Sequence, residues 1–100
     1  MILILGRGRV HPDQRDTALA AAAAMGAAST AESGCLEYSF WVSPEDPNSI
    51  GLVERWESEE ALAAHMAAPH LAAFITEIGP TLDGGGDGAC YDVEKFGPLF

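Results

Sequence analysis

His11, His65 and His70 are the three side chains whose ordinary pKa values place proton exchange near neutral pH. His65 recurs with Leu62, Met66 and Pro69 at helical spacing, on a stripe expected to face a sheet, and is the best candidate general base. His70 follows Pro69 directly and reads either as a second acid–base group or as a capping or dimer-contact residue. His11 follows the first apolar run and reads as a solvated loop residue. Upstream, Glu54 and Trp56 share a strand face with Leu52. Trp56 is either packed core or the wall of a pocket, where its indole N–H could meet a ligand oxygen. Glu54 on a buried face needs a partner, so its expected role is to hold a histidine or a backbone group. Tyr38 is either core or a phenolic donor to the same pocket. Arg7, Arg9 and Arg55 are expected in ion pairs with the many acids rather than on a ligand carboxylate.

Other suggestive patterns fail on chemistry. Gly6-x-Gly8 lacks the third glycine of a dinucleotide fingerprint and precedes no immediate helix. Gly84-Gly85-Gly86 is followed by aspartate, with no lysine to meet phosphates, and is expected to be a turn. His65 and His70 stand five residues apart rather than four, so no zinc site is expected. Cys35 and Cys90 have no metal or redox spacing and are expected to be reduced core thiols.

The elements that must position these groups follow from periodicity and turn chemistry. Residues 2 to 10 are apolar and then alternate, the pattern of a strand. Pro12 and Asp13 signal a helix start, with Asp13 as N-cap and the helix running to about Ala31. Its alanines give high propensity and a slim face that can lie close to a sheet. Ser33-Gly34 ends it. Residues 35 to 43 alternate, with Leu36, Tyr38, Phe40 and Val42 opposite Cys35, Glu37, Ser39 and Trp41. The turn-rich segment 43–49 joins them as a hairpin to a strand over 50–57. Ser58 caps a second helix, bent or restarted at Pro69 and continuing through Leu71, Phe74 and Ile78 to Gly79-Pro80. A flexible turn over 83–88 precedes a last strand at about 89–96.

One hundred residues hold one domain, 1–100, with an α+β, ferredoxin-like β-α-β-β-α-β order. Both helices should cover one face of a four-stranded antiparallel sheet. The other face keeps apolar residues, so a homodimer is expected, with the Leu99-Phe100 tail reaching the partner. The formal net charge of −10, from fifteen acidic and five basic residues, argues against nucleic acid and anionic membrane as partners. The longest apolar run, Ala18 to Ala28, is too short to span a bilayer, and the N-terminus lacks the order of a secretory signal. A cytoplasmic location is expected.

Three segments also carry a family resemblance. Glu32-Ser33-Gly34-Cys35-Leu36-Glu37-Tyr38 resembles an E-x-G-C-x-x-Y entry into the second strand, and Glu54-Arg55-Trp56-Glu57-Ser58 an E-x-W-x-S strand end. Ala61-Leu62-Ala63-Ala64-His65, followed by His70 and Phe74, resembles an A-L-x-x-H…H…F helix. In this order, over residues 2 to about 96, they are similar to the antibiotic-biosynthesis monooxygenase family of dimeric α/β-barrel proteins.

The resemblance implies a homodimer with a cleft between sheet and helices, and oxygenase chemistry on phenols, quinols or reduced aromatic rings with neither metal nor flavin. Such chemistry needs a base to make the substrate an electron-rich anion, an apolar pocket, and a donor for the oxyanion. Here that implies His65, Trp56 and Tyr38 as catalytic groups and Glu54, His70, Met66 and Phe74 as substrate-binding ones, with no metal and no cofactor. Partners would be a small aromatic substrate and dioxygen. Family membership also fits a non-oxygenase, such as a small-metabolite isomerase or a ligand-binding protein. The haem-degrading branch ranks lower, because it uses an asparagine near the first strand and Asn48, the single asparagine here, falls in the hairpin loop.

Overall fold

The computed structural model describes residues 1–99. β1 (Ile2–Arg9) leads through a 3-10 turn (Pro12–Gln14) into α1 (Arg15–Thr30). The hairpin of β2 (Cys35–Val42) and β3 (Ser49–Trp56) follows, then α2 (Glu59–Met66), α3 (Pro69–Ile78) and β4 (Asp87–Asp92). The strands are antiparallel in the order β2-β3-β1-β4. This is the expected α+β arrangement, with the second helix in two pieces.

Period-2 alternation sorts the side chains onto two faces. On the helix-covered face Ile2, Tyr38, Ile50, Glu54 and Trp56 are buried, beneath Ala18, Ala21, Ala22 and Met25 of α1. The alanines let α1 lie close to the sheet, as their slim side chains require. Register then builds two rows across three strands: Ile4, Glu54 and Tyr38 in one, Ile2, Trp56 and Cys35 in the next. Those two rows form the floor of the candidate site. The opposite face is open, and Leu5, Trp41 and Tyr91 stand 42%, 63% and 48% exposed on it.

Several details depart from expectation. Asp13 caps no helix: Pro12 starts a short 3-10 turn that takes in Asp13, and α1 begins two residues later with Gln14 at its cap position. A bulge between Cys35 and Glu37 shifts the phase of β2 by one residue. Cys35 therefore packs against the core while Leu36 is exposed. β4 spans 87–92 rather than 89–96, because the chain closes on β1 early: a Cβ at Gly86 would lie 2.8 Å from the Arg7 carbonyl oxygen, so glycine permits the approach. Both thiols are free; Cys35 is half-buried against the core, whereas Cys90 is exposed on the edge strand rather than in the core. Leu99 is exposed, and Phe100 of the expected partner-reaching tail lies outside the described residues. Among the described residues no single helix is long and apolar enough to cross a membrane.

Candidate functional site

The site begins at the turn between α1 and β2. Gly34 sits there with φ +82°, and a Cβ on it would fall 2.6 Å from the Ala61 Cβ. Only glycine allows both the left-handed backbone and the contact. The Gly34 carbonyl accepts from the Glu57 N–H at 2.8 Å, which fastens the turn to the junction between β3 and α2. Glu32, two residues earlier, is thereby held beneath the helices. Ser58 caps α2, its hydroxyl accepting from the Ala61 N–H at 3.2 Å. α2 carries His65 inward in its last turn. Pro69 starts α3 after a 60° bend, and this change of direction brings His70 back beside His65 despite the five-residue spacing.

Glu32 Oε2 lies 2.6 Å from His65 Nδ1 and 2.8 Å from His70 Nε2. Burial would raise the Glu32 carboxyl, but the hydrogen bonds and charges of His65 and His70 outweigh it and hold it below the usual carboxylate range. An ionised carboxylate accepts only, so both imidazoles must present N–H to it. In a neutral ring, that leaves His65 Nε2 as the proton acceptor. This nitrogen points toward Glu54, whose Oε1 is 3.9 Å away and accepts from Trp56 Nε1 at 3.0 Å. Burial pushes the Glu54 carboxyl up, opposed by the Trp56 hydrogen bond. Exposure falls inward along the chain of contacts, from 28% for the His70 side chain through 17% for Glu32 to 2% for His65.

Aromatic rings enclose the histidine. The Trp56 ring lies 4.6 Å and the Tyr38 ring 5.3 Å from that of His65, centroid to centroid. Burial, followed by the Glu54 charge, raises the Tyr38 hydroxyl well above its ordinary value, so it stays a neutral donor at working pH. Tyr38 also lines a groove of about 640 Å³ between α1 and β2, with Phe40, Val42, Ile50, Leu19 and the small residues of α1. A smaller cavity of about 230 Å³ lies between sheet and helices, bounded by Phe40, Leu52, Phe74, Ile78 and Leu82. Neither His65 nor Trp56 lines these spaces; Tyr38 stands between the groove and the histidine.

Five of the seven residues singled out from sequence, His65, His70, Glu54, Trp56 and Tyr38, converge on one constellation. Phe74 packs against the core cluster that holds Tyr38 and Trp56, 5.7 Å from the Phe40 ring, and lines the smaller cavity rather than the histidine pair. Met66 leaves the stripe assigned to it: α2 ends there, and the side chain is 63% exposed on the outer side. Glu32, the hub, went unassigned in the sequence, although it opens the E-x-G-C-x-x-Y segment. Two imidazoles and a carboxylate this close can relay a proton or hold a cation.

Comparison with known proteins finds relatives of this chain. Residues 1–77 match the family model described as antibiotic biosynthesis monooxygenase. An uncharacterized protein of Synechocystis sp., sll1783, is 30% identical over 74 residues, 74% of this chain. The chain spans about half of that relative's length, 50%. "Putative monooxygenase YcnE" of Bacillus subtilis is 26% identical over 77% of this chain and 81% of its own. A crystal structure from Deinococcus radiodurans superposes with a TM-score of 0.92 at 17% identity, covering 100% of this chain and 99% of that one. At that identity the likeness speaks for the fold alone.

Proposed function

The chain belongs to the antibiotic biosynthesis monooxygenase family, and on that premise we propose that it is a cofactor-independent monooxygenase of small quinol-like or polycyclic aromatics. The observation that carries this reading is the buried His65, oriented by Glu32 and flanked by the tilted rings of Trp56 and Tyr38 behind an apolar groove. The groove, at about 640 Å³, has the size of a site for a ring-bearing ligand, whereas 230 Å³ is below that range. The substrate ring lies in the groove against Phe40 and Tyr38. For His65 to take the phenolic proton the Tyr38 side chain has to turn aside, and Glu32 then steadies the imidazolium. The Tyr38 hydroxyl donates to the oxyanion.

The electron-rich anion then reduces dioxygen. At the ring CH₂ of an anthrone the substrate loses two hydrogens and gains one oxygen atom as a carbonyl. A quinol instead gains one oxygen atom at a ring CH and ends as a hydroxyquinone. In both, the second oxygen atom leaves as water with two substrate hydrogens. All four electrons come from the substrate, so the balance needs no external reductant.

The working unit is a homodimer in which a second copy covers the open face that carries Leu5, Trp41, Val53 and Tyr91. A monomer at micromolar concentration in gel filtration would count against that. A second reading, a small-metabolite isomerase or binding protein, is favoured by one observation: His65 lines neither the groove nor the smaller cavity. The deciding experiment is dioxygen uptake by metal-free, flavin-free protein with hydroquinones, naphthoquinols and anthrones, with His65→Ala beside wild type. Saturable uptake above autoxidation that falls in the variant supports the oxygenase. No excess uptake across the panel moves the assignment to the second reading.

A further inference from the structure

We infer that Glu32, His65 and His70 form a binding site for one divalent transition-metal ion, and that an ion bound there switches off His65 as a base. Each residue offers one ligating atom, and the three atoms lie within 4.8 Å of one another. Glu32 Oε2 is already 2.6 Å from His65 Nδ1 and 2.8 Å from His70 Nε2. Ligands about 2.0–2.1 Å from a tetrahedral ion stand roughly 3.3 Å apart. For one ion to replace the hydrogens between the three groups, the carboxylate has to withdraw by about 0.5–0.7 Å and the two ring nitrogens, within 4.8 Å of each other, have to close toward the same spacing.

The donor set decides the class of ion. Two imidazoles and one carboxylate suit zinc, cobalt or iron, whereas magnesium and calcium prefer all-oxygen ligands. With Nδ1 on the ion, His65 carries its hydrogen on Nε2, on the side of Glu54 Oε1, which at 3.9 Å has to move closer to accept it and is itself held by Trp56 Nε1 at 3.0 Å. The His70 side chain, 28% exposed, gives the ion a route in and leaves a coordination position for water. The bend at Pro69 is what makes a pair five residues apart converge.

The functional consequence follows from the tautomer. A proton on Nε2 removes the lone pair with which His65 would accept the substrate proton, so the loaded protein is inactive as an oxygenase. That consequence rests on the oxygenase reading; the site itself does not.

The test uses the chelator-treated protein, titrated with Zn²⁺ by calorimetry and with Co²⁺ by visible absorption. Because His65 is fully buried, the variants are His70→Ala and Glu32→Gln, each checked for wild-type circular dichroism. The inference expects one ion per chain with a dissociation constant of ~10 μM or below. It also expects a Co²⁺ spectrum of low coordination number, and at least about a tenfold loss of affinity in each folded variant. It is overturned by failure of wild type to bind either ion in that range, or by binding that survives both variants unchanged, which would place the ion elsewhere on the acidic surface. Dioxygen uptake is read separately on ion-free protein, so a failed oxygenase assay leaves the metal result standing, and the reverse.

Discussion

Replacing Glu32 with alanine removes the acceptor of two hydrogen bonds, and the structure sets the size of the effect. His65 is 2% exposed, and its Nδ1–H loses its partner at 2.6 Å. An unsatisfied buried donor costs about 1–3 kcal/mol. His70 is partly exposed and can turn to solvent, so losing its 2.8 Å bond costs about 0.5–1.5 kcal/mol more. A shift of the His65 proton to Nε2 would give Glu54 a hydrogen but leave Nδ1 an unpaired acceptor, so the first contribution persists. The expected loss is about 2–4 kcal/mol, in urea unfolding at fixed protein concentration with unchanged m. Glu32→Gln keeps one carbonyl acceptor and should lose about half as much. A loss below about 1 kcal/mol in the alanine variant would mean that the carboxylate does not bond the two imidazoles in solution, and the site as described would fall.

Three further predictions follow from other parts of the fold. Gly34→Ala forces a left-handed backbone on an L-residue and drives a Cβ to 2.6 Å from Ala61; it should destabilise by about 2–4 kcal/mol by denaturant titration, and a neutral result would refute the turn geometry. Tyr38→Phe keeps the ring and removes the hydroxyl, so on an established substrate turnover should drop about 10²-fold with stability little changed; unchanged turnover would strip the hydroxyl of its role. The Ser39 hydroxyl, and after it Arg55, hold the Glu37 carboxyl below its ordinary value of 4.5. Its contribution to stability is therefore complete above that pH and is lost as pH falls through the lower folded value. Unfolding midpoints of wild type and Glu37→Gln should converge toward acid, and parallel curves would contradict the assignment.

The strands and helices were legible because alternation, alanine runs and turn residues each map onto local geometry. The faces that carry Tyr38, Glu54, Trp56 and His65 were legible from period, and the family resemblance supplied the expectation that they meet in one cleft. What escaped depends on single-residue events and tertiary approach. The bulge after Cys35 leaves no composition signal, yet it turns Leu36 outward and Cys35 inward. Helical spacing separates His65 from His70, and only the bend at Pro69 reunites them. Glu32 follows the end of α1 in a turn, where nothing periodic says which way a side chain points; the tight contact of Gly34 with Ala61 decides it. Met66 failed for the opposite reason, since the stripe assumed a helix that continues and α2 stops there.

The central claim, insertion of one atom of dioxygen without a cofactor, is tested most directly by isotope labelling. Ion-free, flavin-free protein is given a turned-over anthrone or quinol under ¹⁸O₂, and the product is weighed by mass spectrometry with solvent exchange controlled. The account predicts one labelled oxygen in each product molecule, labelled water as the co-product, and loss of the enzymatic excess in His65→Ala. Product carrying only solvent oxygen, or label at the autoxidation rate alone, would contradict it.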